Sequence, residues 1–450
     1  MVTFDKILQL IPEVKGPTQK HLSFRQKLKW TGIVLLIFFM LGATHLFGLG
    51  DNALSQFEYL SVVLGASFGS IISLGIGPIV TASIVLQLLN GAGIVGFDLT
   101  THEGKSRFQG VQKLLTYFFI ILEAAIYVLM GGLSPMPGIP AIVIIIQMVI
   151  GGLLIVFLDD IINKWGFGSG TSLFIAAGVS QQIFIQAFSP LHPTQGGVVN
   201  ADAFVGAVPQ LFNALSAGLP QEAALALGSI IATLVIFGVV VFAQSMKVEI
   251  PLSFGRIRGH GIRWPLNFVY TNVIPVILVS ALVANIQLFG QLLANRGHVW
   301  LNSVVPFIRN TNLLAHISQG TLTPLIIIQS VTYMLFFISL SVVFSWFWMQ
   351  TSGLDPKSQA KQMMSSGLQI PGFRKDARVL ERLLKKYIYP LTVMGGIFIG
   401  LLASLANMTG TFGSGTGLLL TVMIIYKLYE DIAKQHMEDM NPMMRKMMGK

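Results

Sequence analysis

Long uncharged apolar stretches alternate with short charged segments along the whole chain. A bilayer core about 30 Å thick needs about 20 apolar residues per helix. Ten stretches fit: Trp30–Leu49, Ile71–Leu89, Leu114–Leu133, Ala141–Leu158, Ser169–Phe188, Leu225–Ala243, Phe268–Leu288, Pro324–Met349, Tyr389–Leu405 and Gly415–Leu428. Runs of this length predict helices, and the two-residue alternation of outer-membrane barrel strands is absent. The pattern therefore predicts an all-α polytopic membrane protein with ten transmembrane helices.

Composition narrows the class. Of 450 residues, 53 % are hydrophobic and 11 % charged, whereas soluble domains carry about 25 % charge. A disordered chain, a coiled coil and an ordinary soluble enzyme are excluded. The absence of cysteine excludes a disulfide scaffold. Six basic residues precede the first long apolar run, unlike a cleavable signal peptide.

Charge sets the orientation. With the N-terminus in the cytoplasm, 27 of the 29 Lys and Arg residues fall on the cytoplasmic side, and only Arg296 and Arg309 fall outside. That asymmetry follows the positive-inside rule, and both termini are expected in the cytoplasm. The expected organisation is a cytoplasmic segment 1–29, an N-terminal half 30–188 with spans one to five, and an external loop 189–224. A C-terminal half 225–432 follows, with basic cytoplasmic loops 244–267 and 350–388, and then a cytoplasmic tail 433–450.

The halves repeat. Phe167–Ile175 reads FGSGTSLFI and Phe412–Leu420 reads FGSGTGLLL, identical at six of nine positions. Each opens the last span of its half. Five spans is an odd number, so the second half is inverted relative to the first. Inverted repeats commonly hold a pathway between them near the midplane. The glycines do not form a phosphate loop, because the GKS or GKT that would hold phosphate and metal is missing.

One segment is too long for its place. Tyr59 to Leu89 carries no charge, and as a single helix it would reach about 46 Å. Only one net crossing is available, so the excess folds back. Gly75, Gly77 and Pro78 supply the break. Residues 55–69 are then either a short re-entrant helix that enters from outside or an amphipathic helix on the outer surface. Glu123 is the one carboxylate well inside a span. It either takes partners such as Thr81 and Asn285 or lies near the edge and snorkels. His45, near the outer end of the first span, reads as interfacial. No metal motif or nucleophile–base pair is evident, so no enzyme activity, metal or cofactor is expected.

Two cytoplasmic loops concentrate positive charge. Residues 247–263 include FGRIRGHGIR, and residues 357–386 include PGFRKDAR and ERLLKK. Such clusters suit phosphate contacts on RNA or lipid headgroups. Orientation alone also explains basic inside loops.

Longer segments carry a resemblance. LGIGPIVTASIVLQLL (74–89), FGSGTSLFIAAGVSQ (167–181), IPLSFGRIRG (250–259), IPVILVSALVANIQL (274–288), TSGLDPKSQAKQM (351–363), PGFRK (371–375) and YIYPLTVMGG (387–396) resemble the SecY family. This family supplies the large subunit of the Sec protein-conducting channel. The likeness runs over essentially the whole chain, and the N-terminal IPEVKGPTQKHLSFRQKLKWTG points to the archaeal branch.

The resemblance implies two inverted halves around an hourglass pore. Its ring would comprise Ile76, Val80, Thr171, Ile175, Ile277 and Leu420, where Thr171 departs from the usual aliphatic residue. Residues 55–69 would be the plug, with Ser55, Phe57, Tyr59, Leu60, Leu64 and Phe68. Thr81, Glu123 and Asn285 would belong to a lateral gate between spans two and three on one side and spans seven and eight on the other. Arg256, Arg258, Arg374 and Lys375 would dock the ribosome or another driver. The implied function is translocation of unfolded secretory chains and release of signal or transmembrane segments into lipid. Implied partners are the SecE/gamma and SecBeta subunits, the ribosome, signal sequences with their nascent chains, and the lipid of the cell membrane.

Two other readings of the residues remain at this level. A secondary transporter with inverted repeats would show more charged groups at its midplane than Glu123. A membrane-insertion scaffold would have no through-pore.

Overall fold

The computed structural model describes residues 12–18, 22–52, 66–91, 93–97, 101–192, 194–195, 198–199, 203–254, 261–271, 274–295, 305–365, 368–369 and 377–440. Ten principal helices organise them: α1 Phe24–Ala43, α2 Gly77–Gly91, α3 His102–Leu129, α4 Ala141–Trp165, α5 Gly170–Phe188, α6 Pro220–Ser245, α7 Ile274–Asn295, α8 Pro324–Thr351, α9 Ala377–Met408 and α10 Gly415–Met440. Seven are long and apolar enough to cross a membrane by length and composition. Two, α2 and α7, are shorter apolar helices, and α10 is apolar in its opening half and charged beyond Tyr426.

Local chemistry sets the helix ends. Ser23 N–H donates to Gln26 Oε1 at 3.2 Å before α1. Thr101 Oγ1 accepts Gly104 N–H at 3.1 Å before α3, and Glu103 lies in that first turn, where a negative charge suits the dipole. Helices α6 and α8 begin with proline, whose missing N–H costs nothing at that position.

Several expected boundaries move. The first span closes at Ala43, because Leu49–Asn52 pairs antiparallel with Leu133–Pro135. That strand also takes Leu133 out of the third span. Residues 71–76 are turns, and α2 starts at Gly77, where Pro78 sits in the first turn. Gly75 has φ +53, a value that suits glycine. The break is therefore where the glycines and proline put it, and Ile76 precedes the helix instead of lying within it. The second half opens at Pro220, not Leu225, and a short helix Ala207–Ala217 occupies the expected loop. Helix α9 runs through Pro390. Leu380, Leu384, Ile388 and Leu391 on its early turns are buried in one cluster with Ile250, Leu266 and Met363, so tertiary packing carries the helix past the proline. The expected tail begins as helix, continuous with α10 to Met440. There Gln435 Oε1 accepts Lys27 Nζ at 3.0 Å and its Nε2 donates to Leu22 O at 3.2 Å.

The all-α expectation omitted a small sheet. Lys247–Phe254 pairs with Gly261–Asn267 in an antiparallel hairpin, and Leu368–Gln369 adds to Phe254 and Ser253. The two basic loops thus meet in one three-stranded sheet.

Helices α1–α5 form one group and α6–α10 another. They meet where α5 lies along α10 and where α2 touches α7 and α8. The repeated motif plays the same part in both. Phe167 N–H donates to Thr31 Oγ1 at 3.2 Å, and Phe412 N–H donates to Thr233 Oγ1 at 3.1 Å. Thr31 lies on the first helix of its group and Thr233 on the first helix of the other.

Candidate functional site

The site lies where the two groups meet. Ile76, Val80, Ile175, Ile277 and Leu420 come from four separate segments of the chain, yet all are buried in one apolar cluster. Ile76, Ile175 and Leu420 are 0 % exposed, so solvent does not reach these side chains. Ile175 and Leu420 hold equivalent places in the repeat, six residues into α5 and α10.

Thr171 is placed differently from the other five. It is only half-buried, and its Oγ1 donates to Asp159 Oδ1 at 2.9 Å while its N–H donates to the same oxygen at 2.6 Å. The hydroxyl is therefore taken up by α4. A cavity of about 390 Å³ adjoins the cluster, lined by Val80, Thr171, Ile277, Leu278, Ile424 and Leu428 among others. Thr171 thus sits on the cavity wall beside Val80 and Ile277.

Of the expected plug residues, Ser55, Phe57, Tyr59, Leu60 and Leu64 lie outside the described residues. Phe68 is described. It packs edge-on against Tyr127 with ring centres 6.4 Å apart and touches the apolar clusters of both the junction and the α3–α4 side. Ala66 to Gly69 are loop and turn, not helix. Ser70 pairs with His45, and His45 is exposed.

The expected gate residues separate into a pair and a single. Thr81 Oγ1 donates to Glu123 Oε1 at 3.0 Å, tying α2 to α3 on one side of the junction. Glu123 is 5 % exposed, so it does not snorkel to an edge. Asn285, on α7, is half-buried and makes no hydrogen bond to either among the described residues. Sequence reasoning treated the three as one cluster. The structure joins only the two that share a side.

Arg256, Arg258, Arg374 and Lys375 lie outside the described residues. The strands that lead to them are described, and Phe254 pairs with Leu368. Arg263, opposite Pro251 in the same hairpin, pairs with Glu249 at 2.9 Å.

Sequence reasoning passed over a polar group at the end of α4. Asp160 accepts Lys113 Nζ at 2.6 Å, and Lys164 reaches Glu13 Oε1 at 2.6 Å. Lys164 Nζ also donates to Val14 O at 2.6 Å, and Trp165 Nε1 donates to Lys15 O at 3.0 Å. The segment before α1 is thereby strapped to α3 and α4. The Asp-Asp pair just beyond an apolar run was the available signal.

Comparison with known proteins gives one family. The SecY family model matches residues 70–429. The protein translocase subunit SecY of Methanothermobacter thermautotrophicus is 45 % identical over 455 residues, covering 99 % of this chain and 98 % of that one. A solved structure described as that of a protein conducting channel superposes with TM-score 0.80 at 39 % identity, covering 96 % of this chain and 97 % of that one. Sec61 in the canine ribosome-channel complex from the endoplasmic reticulum superposes with TM-score 0.77 at 38 % identity, again covering 96 % of this chain and 97 % of the other. The matches run through both groups of five helices and the cluster between them, and the chain belongs to the SecY family.

Proposed function

We propose that the buried apolar cluster is the closed pore of this protein-conducting channel, with Ile76, Val80, Ile175, Ile277 and Leu420 as its ring and Thr171 on the adjoining vestibule wall. The channel translocates unfolded secretory polypeptides and releases signal or transmembrane segments into lipid. A tight apolar ring resists ions because water and charge are poorly solvated within it. The same ring deforms around a chain, since dispersion contacts are weak singly and have no fixed direction.

The observation that carries this reading is the joint burial of side chains from both inverted groups at their junction. Nothing in one group alone would require it. The gate reading assigns the α2–α3 side to Thr81 and Glu123 and the facing side to Asn285. Apolar segments gain by transfer to lipid and polar chain does not, so a parting between α2 and α7–α8 sorts by hydrophobicity. Residues 55–69 are proposed as the plug that closes the external funnel.

The hairpin side is proposed to face the cytoplasm, in the plasma membrane, with both termini there. Ribosome docking through Arg256, Arg258, Arg374 and Lys375 is supported by the meeting of the two basic loops in one sheet and by the canine relative, which was solved in a ribosome-channel complex. Two single-span partners, SecE/gamma and SecBeta, are proposed to complete the assembly, and the chain itself is proposed to catalyse no reaction.

The test is a photoreactive probe at Ile277 in ribosome-bound complexes that carry a stalled secretory chain. Crosslinks from Ile277 to the nascent chain are expected. Crosslinks confined to probes on the exposed hairpin would refute the pore assignment.

A further inference from the structure

Helices α5 and α10, which meet at the junction, each take an acceptor for their first turn from the helix before them. Ser169 precedes α5 but makes no side-chain cap. The acceptor comes from the neighbouring helix: Asp159 Oδ1 on α4 takes the N–H of Thr171 at 2.6 Å and its hydroxyl at 2.9 Å. Asn163, one turn further along α4, accepts Gly170 N–H at 3.3 Å and donates to Asp159 Oδ2 at 2.8 Å. In the other half, Asn407 Oδ1 on α9 accepts the N–H of Thr416 at 3.1 Å, and Asn407 Nδ2 donates to the Tyr333 hydroxyl at 2.7 Å; here Ser414 Oγ adds an internal cap by accepting the N–H of Gly417 at 3.1 Å.

Thr171 and Thr416 are the same position of the repeat. The glycine before each makes the contact possible. A Cβ on Gly170 would lie 2.6 Å from Asp159 Oδ1, and one on Gly415 would lie 2.2 Å from Ala406 C and Asn407 N. Gly168 and Gly413 turn the chain into each helix with φ +70 and +66. The repeated FGSGT is therefore a docking site for the preceding helix. Ile175 and Leu420 each follow the capped threonine by four residues, which is about one helical turn. Where the threonine is held, the ring side chain is held in depth and in rotation.

We propose that Asp159 and Asn407 are positioning residues for the pore ring, each locking one of these helices to the helix before it, so that the pairs α4–α5 and α9–α10 part as rigid units when the channel opens. This rests on the reading of Ile175 and Leu420 as ring residues. A helix start has orphan N–H groups that need acceptors. Taking them from another helix couples the position of α5 to α4 and of α10 to α9, which an internal cap would not do.

The experiment uses the full chain with its co-purifying small subunits, reconstituted in vesicles, and reads resting ion leak at matched amounts of folded complex. Asp159→Ala and Asn407→Ala are each expected to raise the leak roughly five- to thirty-fold, the change that loss of one cap makes in a two-state equilibrium. The exchange Asp159→Asn with Asn163→Asp keeps an acceptor for Thr171 and for Gly170 and is expected to restore the seal. Thr171→Val, which removes only the hydroxyl donor, is expected to leak less than Asp159→Ala and serves if that variant fails to assemble. Ile175→Gly is the reference for an opened ring. If Ile175→Gly stays sealed, the ring reading itself fails. If Ile175→Gly leaks while Asp159→Ala, or Thr171→Val in its place, seals like the native channel, the positioning role is overturned. An exchanged pair as leaky as Asp159→Ala overturns it as well.

Discussion

Thr31 accepts the backbone N–H of Phe167 at 3.2 Å, and the same bond recurs between Thr233 and Phe412 at 3.1 Å. Each threonine also donates to the carbonyl four residues before it on its own helix. The first helix of each group thus fixes the turn that launches the last. Thr31→Val and Thr233→Val would each leave a buried N–H without an acceptor, a loss of about 1–3 kcal/mol. Both variants should lower the apparent unfolding temperature of the purified complex by similar amounts. A shift for one and none for the other would show that the two bonds do not share a role.

The ring makes a separate prediction. Ile175→Ala and Leu420→Ala remove side chains that are 0 % exposed, and core truncations of this kind cost about 2–5 kcal/mol. Ion conductance through planar bilayers should rise for both in the absence of substrate. An equally destabilising truncation away from the junction, such as Leu384→Ala in the cluster around the sheet, should leave conductance at its resting level.

Thr81 and Glu123 should behave as a coupled pair and Asn285 as an independent residue. Residues that share a hydrogen bond show interaction energies of about 0.5–3 kcal/mol, whereas distant ones add within about 0.5 kcal/mol. Double-mutant cycles on export of a reporter with a weakened signal sequence would measure this. Strong coupling is expected between Thr81→Val and Glu123→Gln, and near-additivity when either is combined with Asn285→Ala. Strong coupling to Asn285 would mean that the gate closes through a polar contact across it.

Docking through the basic loops predicts a charge effect. Replacing Arg256, Arg258, Arg374 and Lys375 with Glu should abolish ribosome co-sedimentation at moderate salt, since phosphate contacts account for the salt dependence of such binding. The native complex should lose ribosomes progressively as salt rises. Salt-independent binding that survives the charge reversal would remove these residues from the interface.

The strap before α1 should open in acid. Hydrogen bonding to Lys164, helped by the nearby charge of Lys113, holds the Glu13 carboxyl below the usual carboxylate range, against a smaller upward push from burial. A carboxyl whose folded pKa is depressed contributes stability above its unfolded pKa of about 4.3. That contribution is lost as pH falls through the lower folded value. Because Glu13 is well exposed, the effect is small, about 1 kcal/mol or less. A fluorophore on residue 16 should show quenching by Trp165 fading as pH drops below the carboxylate range. Glu13→Gln should remove that transition.

Much was legible before any coordinates. Apolar runs, charge asymmetry and the FGSGT repeat pointed to ten spans in two inverted groups, because transfer to lipid and the positive-inside rule act on composition and not on contacts. Helix ends were less legible. Ala43, Gly77 and Pro220 fall where strand pairing, a turn or a proline stops or starts the helix, and hydropathy averages over such features. The run of α9 through Pro390 was hidden for a related reason, since burial of Leu384 and Ile388 outweighs the proline and burial is not a local property.

The sequence by itself determined that this chain crosses a membrane many times, that its positive charge is gathered on alternate segments between the spans, and that its halves repeat. Each of these depends on the solvation of single side chains or on identity between distant segments. Only the tertiary structure decided that Ile76, Val80, Ile175, Ile277 and Leu420 close together, that Thr171 turns its hydroxyl to Asp159, and that Glu123 bonds Thr81 and not Asn285. Those facts depend on which helices pack side by side, and packing is set by the mutual fit of surfaces far apart in the chain.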